Sequence, residues 1–261
     1  MAGWRGGYPG GAQHKDRDRK GGGVPPPRQH PRGKGGRTLK ILALDASAKS
    51  CAAALYEEKL LGEMYLDLGL THSEKLLPMI DALLEVTDTE KASLSALAVT
   101  AGPGSFTGLR IGMATAQGLC RALSIPIAPV PTLLALKEGG SGFPGVVCPM
   151  MDARRGEVYT ALYRGEEALL PGGPRPLTEL LSAAETLSSP VFFLGDGAAV
   201  HREAIASTLG DRAVFAAAER NLLRASWVAV AAVKQGRFVP EAQASIDYMR
   251  VSQAERLRHG T

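Results

Sequence analysis

A short pattern occurs twice in this chain, and that repeat constrains the fold more than any other feature of the sequence. Leu44-Asp45-Ala46-Ser47 leads on to Ala54-Leu55-Tyr56-Glu57-Glu58, and Met151-Asp152-Ala153-Arg154 leads on to Ala161-Leu162-Tyr163-Arg164-Gly165-Glu166-Glu167. Each copy puts an Asp-Ala pair at the end of an apolar run and a hairpin after it. Two unrelated hairpins of similar composition would look the same, so the repeat has to be weighed with the elements around it.

Those elements have a definite order. Residues 41–46, 52–56 and 60–66 are apolar runs separated by tight polar breaks, the pattern of three successive antiparallel strands. Thr71-His72-Ser73-Glu74 has the spacing of a capping box, and Leu76, Leu77, Ile80, Leu83 and Leu84 then recur on one helical face. The pattern continues with a strand over 94–100, a helix over 107–123, a strand over 127–130 and a short helix over 132–138. Three strands, helix, strand, helix, strand, helix is the order of a ribonuclease-H-like half. After the second copy come a strand over 191–194 and helices over 198–209 and 222–234. The expected fold class is α/β, with duplicated ribonuclease-H-like halves in the actin-like ATPase (ASKHA) architecture of actin-like proteins, sugar kinases and Hsp70-type ATPases. The expected domains are a tail over 1–38, an N-terminal half over 39–139 and a shorter C-terminal half over 140–261.

Charge separates the tail from the body. Residues 1–38 are rich in Gly, Pro, Lys and Arg with almost nothing to bury, and read as disordered. They hold nine Lys and Arg against Asp16 and Asp18, so the rest of a chain whose formal charge is +4 is mildly acidic. The body has no basic footprint for phosphate-backbone binding, and the alternatives for the tail are a solvated extension, an over-long start or an RNA-touching arm. Cys51, Cys120 and Cys148 sit in apolar runs at irregular spacing, which argues against a disulfide framework or a zinc cluster. No apolar run is long enough to span a bilayer, no secretory leader is evident, and a cytoplasmic protein without membrane contact is expected.

In a two-halved ATPase the first hairpin of each half cradles phosphate through backbone N–H groups beside small residues. Here Asp45-Ala46-Ser47-Ala48-Lys49-Ser50 keeps an Asp and hydroxyls but has no Gly, and Asp152-Ala153-Arg154-Arg155-Gly156 puts two long cations in the second turn. Both pockets read as degenerate, although two arginines could meet an anion loosely. The segment Ala101-Gly102-Pro103-Gly104-Ser105-Phe106-Thr107-Gly108-Leu109-Arg110-Ile111-Gly112 follows a strand and opens a helix. Free N–H groups at its first turn could hold an anion, with Asp45, Ser47, Gly102, Gly104, Ser105, Thr107 and Arg110 as the contacts. Equally, Gly108, Gly112 and Ala116 are spaced to let another backbone approach, so packing explains the same glycines.

Together these residues resemble the TsaB (YeaZ) family. The resemblance rests on residues 41–47, on His72-Ser73-Glu74-Lys75-Leu76-Leu77-Pro78-Met79-Ile80, on residues 102–112 and on Met151-Asp152-Ala153-Arg154-Arg155-Gly156-Glu157-Val158-Tyr159. It runs from about Lys40 to Tyr163, with a fainter match at Gly195-Asp196-Gly197-Ala198 and none in the tail. TsaD, the catalytic relative, carries a metal-binding His-x-x-x-His pair where this chain has Thr132 and Leu136, neither of which supplies an imidazole.

The resemblance implies a non-catalytic subunit with no metal site and no tightly bound cofactor. It would pair with TsaD and, with the ATPase TsaE, support threonylcarbamoyl transfer to adenosine 37 of tRNA, meeting tRNA only through the complex. It further implies an interface at His72, Ser73, Leu76, Leu77, Met79 and Ile80, shared with TsaD or with a second copy in a homodimer, and a place for an adenine nucleotide at that interface. The apolar residues over 76–86 exceed one buried stripe, which fits a partner, although a helix buried wholly within its own domain is the alternative. Rival functions are a glycoprotease-like metallohydrolase, which lacks its histidines here, an ATP-dependent small-molecule kinase, and a direct RNA binder acting through the tail.

Overall fold

The computed structural model describes residues 38–67 and 72–249. The expected disorder of the N-terminal tail, and Thr71 of the capping-box pattern, lie outside those residues. The first sheet is built from β1 (Lys40–Asp45), β2 (Cys51–Glu57), β3 (Lys59–Leu66), β4 (Ala96–Gly102) and β5 (Ile127–Pro131) in the order β3-β2-β1-β4-β5. β1 is antiparallel to β2 and parallel to β4, and β4 is parallel to β5. The second sheet uses β6 (Val146–Asp152), β7 (Glu157–Arg164), β8 (Glu167–Pro176), β9 (Val191–Leu194) and β10 (Ala213–Phe215) in the order β10-β9-β6-β7-β8. β6 is antiparallel to β7 and parallel to β9, so each strand of one sheet has its counterpart in the other. The repeat in the sequence is a structural duplication.

Both faces of the central strands are covered, which is why they read as unbroken apolar runs. Leu42 and Leu44 point to one side, into a core with Leu76, Ile80 and Leu83 of α1 (His72–Val86) and Met113, Ala116 and Cys120 of α2 (Phe106–Leu123). Ile41 and Ala43 point to the other, into a core with α3 (Thr132–Lys137) and α7 (Ala225–Gln235). That second core also takes Val147 and Leu194 from the second sheet, so α3 and α7 form the layer between the sheets. The far face of the second sheet is closed by α4 (Leu177–Glu185) and α6 (Arg202–Leu209), through Leu180, Ile205 and Leu209 around Phe193. Burying each Leu, Ile or Phe fully stabilises the fold by about 1.5–3 kcal/mol.

α7 is short on large side chains because it has neighbours on most sides: Ala225, Ala229, Ala231 and Ala232 are all buried. It starts three residues later than the pattern over 222–234 indicates. Polar bridges fasten this returning helix. Glu63 of β3 accepts from Arg224 Nε at 3.1 Å and from the Ser226 N–H at 3.0 Å. Lys234 reaches Glu138 at 2.6 Å and Glu166 at 3.2 Å, and buried Lys137 meets Glu166 at 2.8 Å.

Two elements depart from the sequence pattern. The helix expected over 198–209 is α5 (Asp196–Val200) followed by α6, broken at His201 with φ −104°. The first piece lies on the end of β6, where a Cβ on Gly195 would come 2.0 Å from the Met150 carbonyl oxygen. Ala198 of the first piece and Ile205 and Leu209 of the second all enter the same core around Phe193, so the break re-aims the helix over one sheet face. β8 was not evident because Pro171, Gly172, Gly173, Pro174 and Pro176 erase strand periodicity. It is an edge strand, where proline is tolerated. Among the described residues, no helix is long and apolar enough to cross a membrane.

Candidate functional site

The end of β1 is held by its own carboxylate. Asp45 is fully buried, and its Oδ1 accepts from the Ser47 N–H at 3.0 Å and from Thr100 Oγ1 of β4 at 2.8 Å. One carboxylate thereby closes the hairpin turn and ties it to the neighbouring strand. Burial pushes the Asp45 pKa up, against hydrogen bonds from Ser47 and Thr100 and the influence of His72, which lower it. Its Oδ2, with Ser47 Oγ and Ser50 Oγ, is buried without a hydrogen-bond partner among the described residues.

The glycine-rich elbow lies directly on this turn. The Ser105 N–H donates to the Ser47 carbonyl at 2.7 Å. A Cβ on Gly104 would lie 2.6 Å from that same oxygen, and one on Gly108 only 1.9 Å from the carbonyl oxygen of Ala46. These glycines let α2 sit against the backbone of the first hairpin, the packing explanation. Ser105 caps α2 by accepting from the Gly108 N–H at 3.3 Å. Gly102, at φ +118°, is covered from the other side: a Cβ there would come 1.9 Å from the Asp247 carbonyl oxygen, and the Asp247 N–H donates to Ala101 at 2.7 Å. Gln117 donates to the carbonyls of Glu241 and Ala244, so the C-terminal segment runs along α2 and over the elbow.

The anion contacts expected from the sequence are therefore divided. Asp45, Ser47 and Gly102 are buried and Gly104 is half-buried against Ser47, while Ser105, Thr107 and Arg110 face outward. Arg110 is engaged: its guanidinium lies 3.8 Å over the Phe106 ring and its Nε donates to Tyr248 Oη at 3.0 Å. The Phe106 and Tyr248 rings pack tilted by 31°, with centroids 4.9 Å apart. The sequence reading missed this cluster, because Tyr248 is far from α2 along the chain.

The expected interface residues divide too. Leu76, Met79 and Ile80 are buried in the first core and offer a partner no side-chain surface. The reason is geometric: they share the stripe of α1 that faces β1 and β2. Ser73 is exposed, and Leu77 keeps 47% of its surface in solvent. Half-buried His72 donates from Nε2 to the Ala48 carbonyl at 2.8 Å, pinning the start of α1 to the first hairpin turn. At the other end of α1, Val86 is 74% exposed. β3 passes beneath that end, with Leu83 and Thr87 each 3.0 Å from where a Cβ on Gly62 would lie, and carries exposed Leu60 and Leu61.

In the second half the equivalent turn is built differently. Arg154, Arg155 and Gly156 have φ of 63°, 56° and 75°, three successive left-handed residues. That backbone costs about 1–2 kcal/mol for each non-glycine residue. It is held by the Arg154 N–H donating to Asp152 Oδ1 at 2.9 Å and by the Ala153 and Glu157 N–H groups, which donate to Glu157 and Arg154 carbonyls at 3.0 and 3.1 Å. Asp152 faces His201 Nε2 at 3.7 Å.

Thr132 and Leu136, at the places of the catalytic relative's histidines, are both buried. Among the described residues no group of three or more His, Cys, Asp or Glu side chains is arranged to hold a metal ion. The three thiols are free and buried, and burial pushes Cys120 up to about 11 and Cys148 to about 12.

Two sheets of matching strand order around a shared helical layer, with the first turn closed by its own chain, define a duplicated α/β protein. The comparisons narrow this class. The family model described as TsaD, tRNA N6-adenosine threonylcarbamoyltransferase, matches residues 69–245. The tRNA threonylcarbamoyladenosine biosynthesis protein TsaB of Bacillus subtilis is 34% identical over 222 residues, 83% of this chain and 96% of that protein. The TsaB of Escherichia coli is 36% identical over 131 residues, 49% of this chain and 57% of that protein. The solved structure of YeaZ from Pseudomonas aeruginosa superposes with a TM-score of 0.62 at 29% identity, covering 80% of this chain and 99% of that one. A second structure, of an uncharacterized protein with similarity to peptidase YeaZ from the same organism, gives 0.69 at 28% identity over 81% of this chain and 100% of that one. The chain belongs to the TsaB (YeaZ) family.

Proposed function

We propose that this chain is the accessory subunit that binds and activates TsaD for threonylcarbamoyl transfer to adenosine 37 of tRNA. The observation that carries the reading is the division of α1. Leu76, Met79, Ile80, Leu83 and Leu84 fill its own core, and Leu77 is left in solvent beside exposed Ser73. An apolar side chain on a helix pinned by His72 is a preorganised contact that loses little freedom when covered. The side chains that would meet TsaD are those of Ser73 and Leu77 with the rim of His72.

TsaE is proposed as the further partner, a homodimer through the same face as the competing assembly, and the heterodimer interface as the place of an adenine nucleotide. tRNA would be engaged within the complex, in the cytoplasm. We read both halves as ribonuclease-H-like, on the strand order β3-β2-β1-β4-β5 and its counterpart, with the halves at 39–139 and 140–261. α7 then belongs in sequence to the second half while packing on the first sheet.

Size-exclusion chromatography with light scattering on the chain mixed with purified TsaD tests the reading. A 1:1 complex, and tRNA modification that depends on the chain, are expected. Absence of both ends it.

A further inference from the structure

The two hairpin turns of the duplication have diverged in opposite directions. The Asp45 turn is sealed beneath the Gly104–Gly108 elbow, whereas the Asp152 turn is open: Arg154, Arg155 and Gly156 are all exposed, and nothing lies within 4 Å of where a Cβ on Gly156 would be. The turn is also rigid. Besides its internal hydrogen bonds, the Gly156 carbonyl accepts from the Leu177 N–H at 3.1 Å, fastening the tip to the start of α4.

Two acids beside it are committed to backbone. Asp152 Oδ1 takes the Arg154 N–H at 2.9 Å, and Asp196 Oδ1 takes the N–H groups of Asp152 at 3.2 Å and Gly197 at 2.8 Å. Among the described residues neither guanidinium makes a hydrogen bond or an ion pair. Left-handed backbone favours glycine or asparagine, yet two of the three places carry arginine. Helping the turn to fold does not account for them. The turn leaves the carboxyl end of β6, the strand at which the sheet passes from a parallel neighbour to an antiparallel one, where open α/β sheets present their ligand sites.

We propose that Arg154 and Arg155 form a phosphate-binding turn that grips the sugar-phosphate backbone of tRNA in the complex. The inference rests on the function proposed above and adds a direct contact between this subunit and the nucleic acid. The planar guanidinium presents paired donors that match phosphate oxygens, and a polyanion can engage both arginines at once. The left-handed backbone fixes where the two side chains start, so less freedom is lost on binding. The mildly acidic body is consistent with one local contact rather than an extended basic surface.

The test uses the chain complexed with TsaD and fluorescently labelled unmodified tRNA, titrated by anisotropy across a series of salt concentrations. The Arg154→Asn/Arg155→Gly variant removes both cations while suiting the left-handed backbone, so folding is preserved. We expect tRNA affinity to fall about tenfold or more and the log–log salt slope to become shallower by about 1–2. The Arg154→Lys/Arg155→Lys variant should retain the slope, and TsaD association should be unchanged in both. Unaltered affinity and slope with the complex intact would overturn the inference and leave the functional reading standing. Loss of TsaD association in the Asn/Gly variant would also overturn it, making the turn a protein contact. If the unsubstituted chain fails to bind TsaD, the functional reading and this inference fall together.

Discussion

Gly108→Ala and Gly118→Ala place the same methyl group on the same helix and are expected to act in opposite directions. Both glycines lie inside α2, where helix propensity alone makes alanine better by about 1 kcal/mol. At Gly118 the added Cβ has nothing within 4 Å, so that gain should be realised. At Gly108 the Cβ would stand 1.9 Å from the backbone oxygen of Ala46, which cannot rotate away. Restoring ordinary contact requires α2 to withdraw by more than ~1 Å, an overpacking cost of about 1–3 kcal/mol or somewhat above it. Withdrawal also strains the hydrogen bond from Ser105 to Ser47, worth about 1 kcal/mol. After the propensity gain the net loss is about 1–3 kcal/mol, which for a domain of this size is a fall of roughly 2–12 °C in Tm. Urea unfolding followed by circular dichroism measures both variants against the parent. Equal midpoints for the two would refute the argument that the elbow glycines are there to let backbones touch.

Leu76→Ala should destabilise the fold by about 2–5 kcal/mol, because that side chain is buried, whereas half-exposed Leu77→Glu should shift stability by no more than ~0.5 kcal/mol yet weaken TsaD binding. Calorimetric titration and thermal melts on the same samples separate the two effects. Asp45 has a raised pKa in the folded state, so between its ordinary value near 3.8 and the folded value the native protein holds more protons than the unfolded chain. Its contribution to stability is therefore lost as pH rises through that window, and Asp45→Asn should flatten this part of the stability profile in urea titrations at stepped pH. A steeper profile in the variant would contradict the assignment. Cys120 and Cys148 should resist iodoacetamide at neutral pH in the folded protein and react once it is unfolded, as mass spectrometry of the labelled chain would register.

Much of the fold was legible because its signals are local. Strands over 41–46 and 94–100 are apolar on both faces, and helices over 76–86 and 107–123 repeat apolar residues at helical spacing. Such periodicities depend only on residues a few places apart. The duplicated Asp-Ala hairpins were visible as a repeat, and the matching strand orders of the two sheets make them equivalent places.

Contacts between distant parts of the chain settled the rest. Nothing in 102–112 says how closely another backbone approaches its glycines; the approach of Asp247, Ser47 and Ala46 to Gly102, Gly104 and Gly108 comes only from the fold. The apolar surplus of α1 was evident, but which of its leucines face β1 and which face solvent depends on how the helix is rotated on the sheet. α7 could be recognised as a helix, whereas its place between the sheets follows from the partners it meets, among them Glu63 more than a hundred positions earlier. The left-handed pair at Arg154 and Arg155 was invisible for a related reason: side-chain chemistry can be read from letters, but a disfavoured backbone conformation is imposed by the hydrogen bonds that surround it.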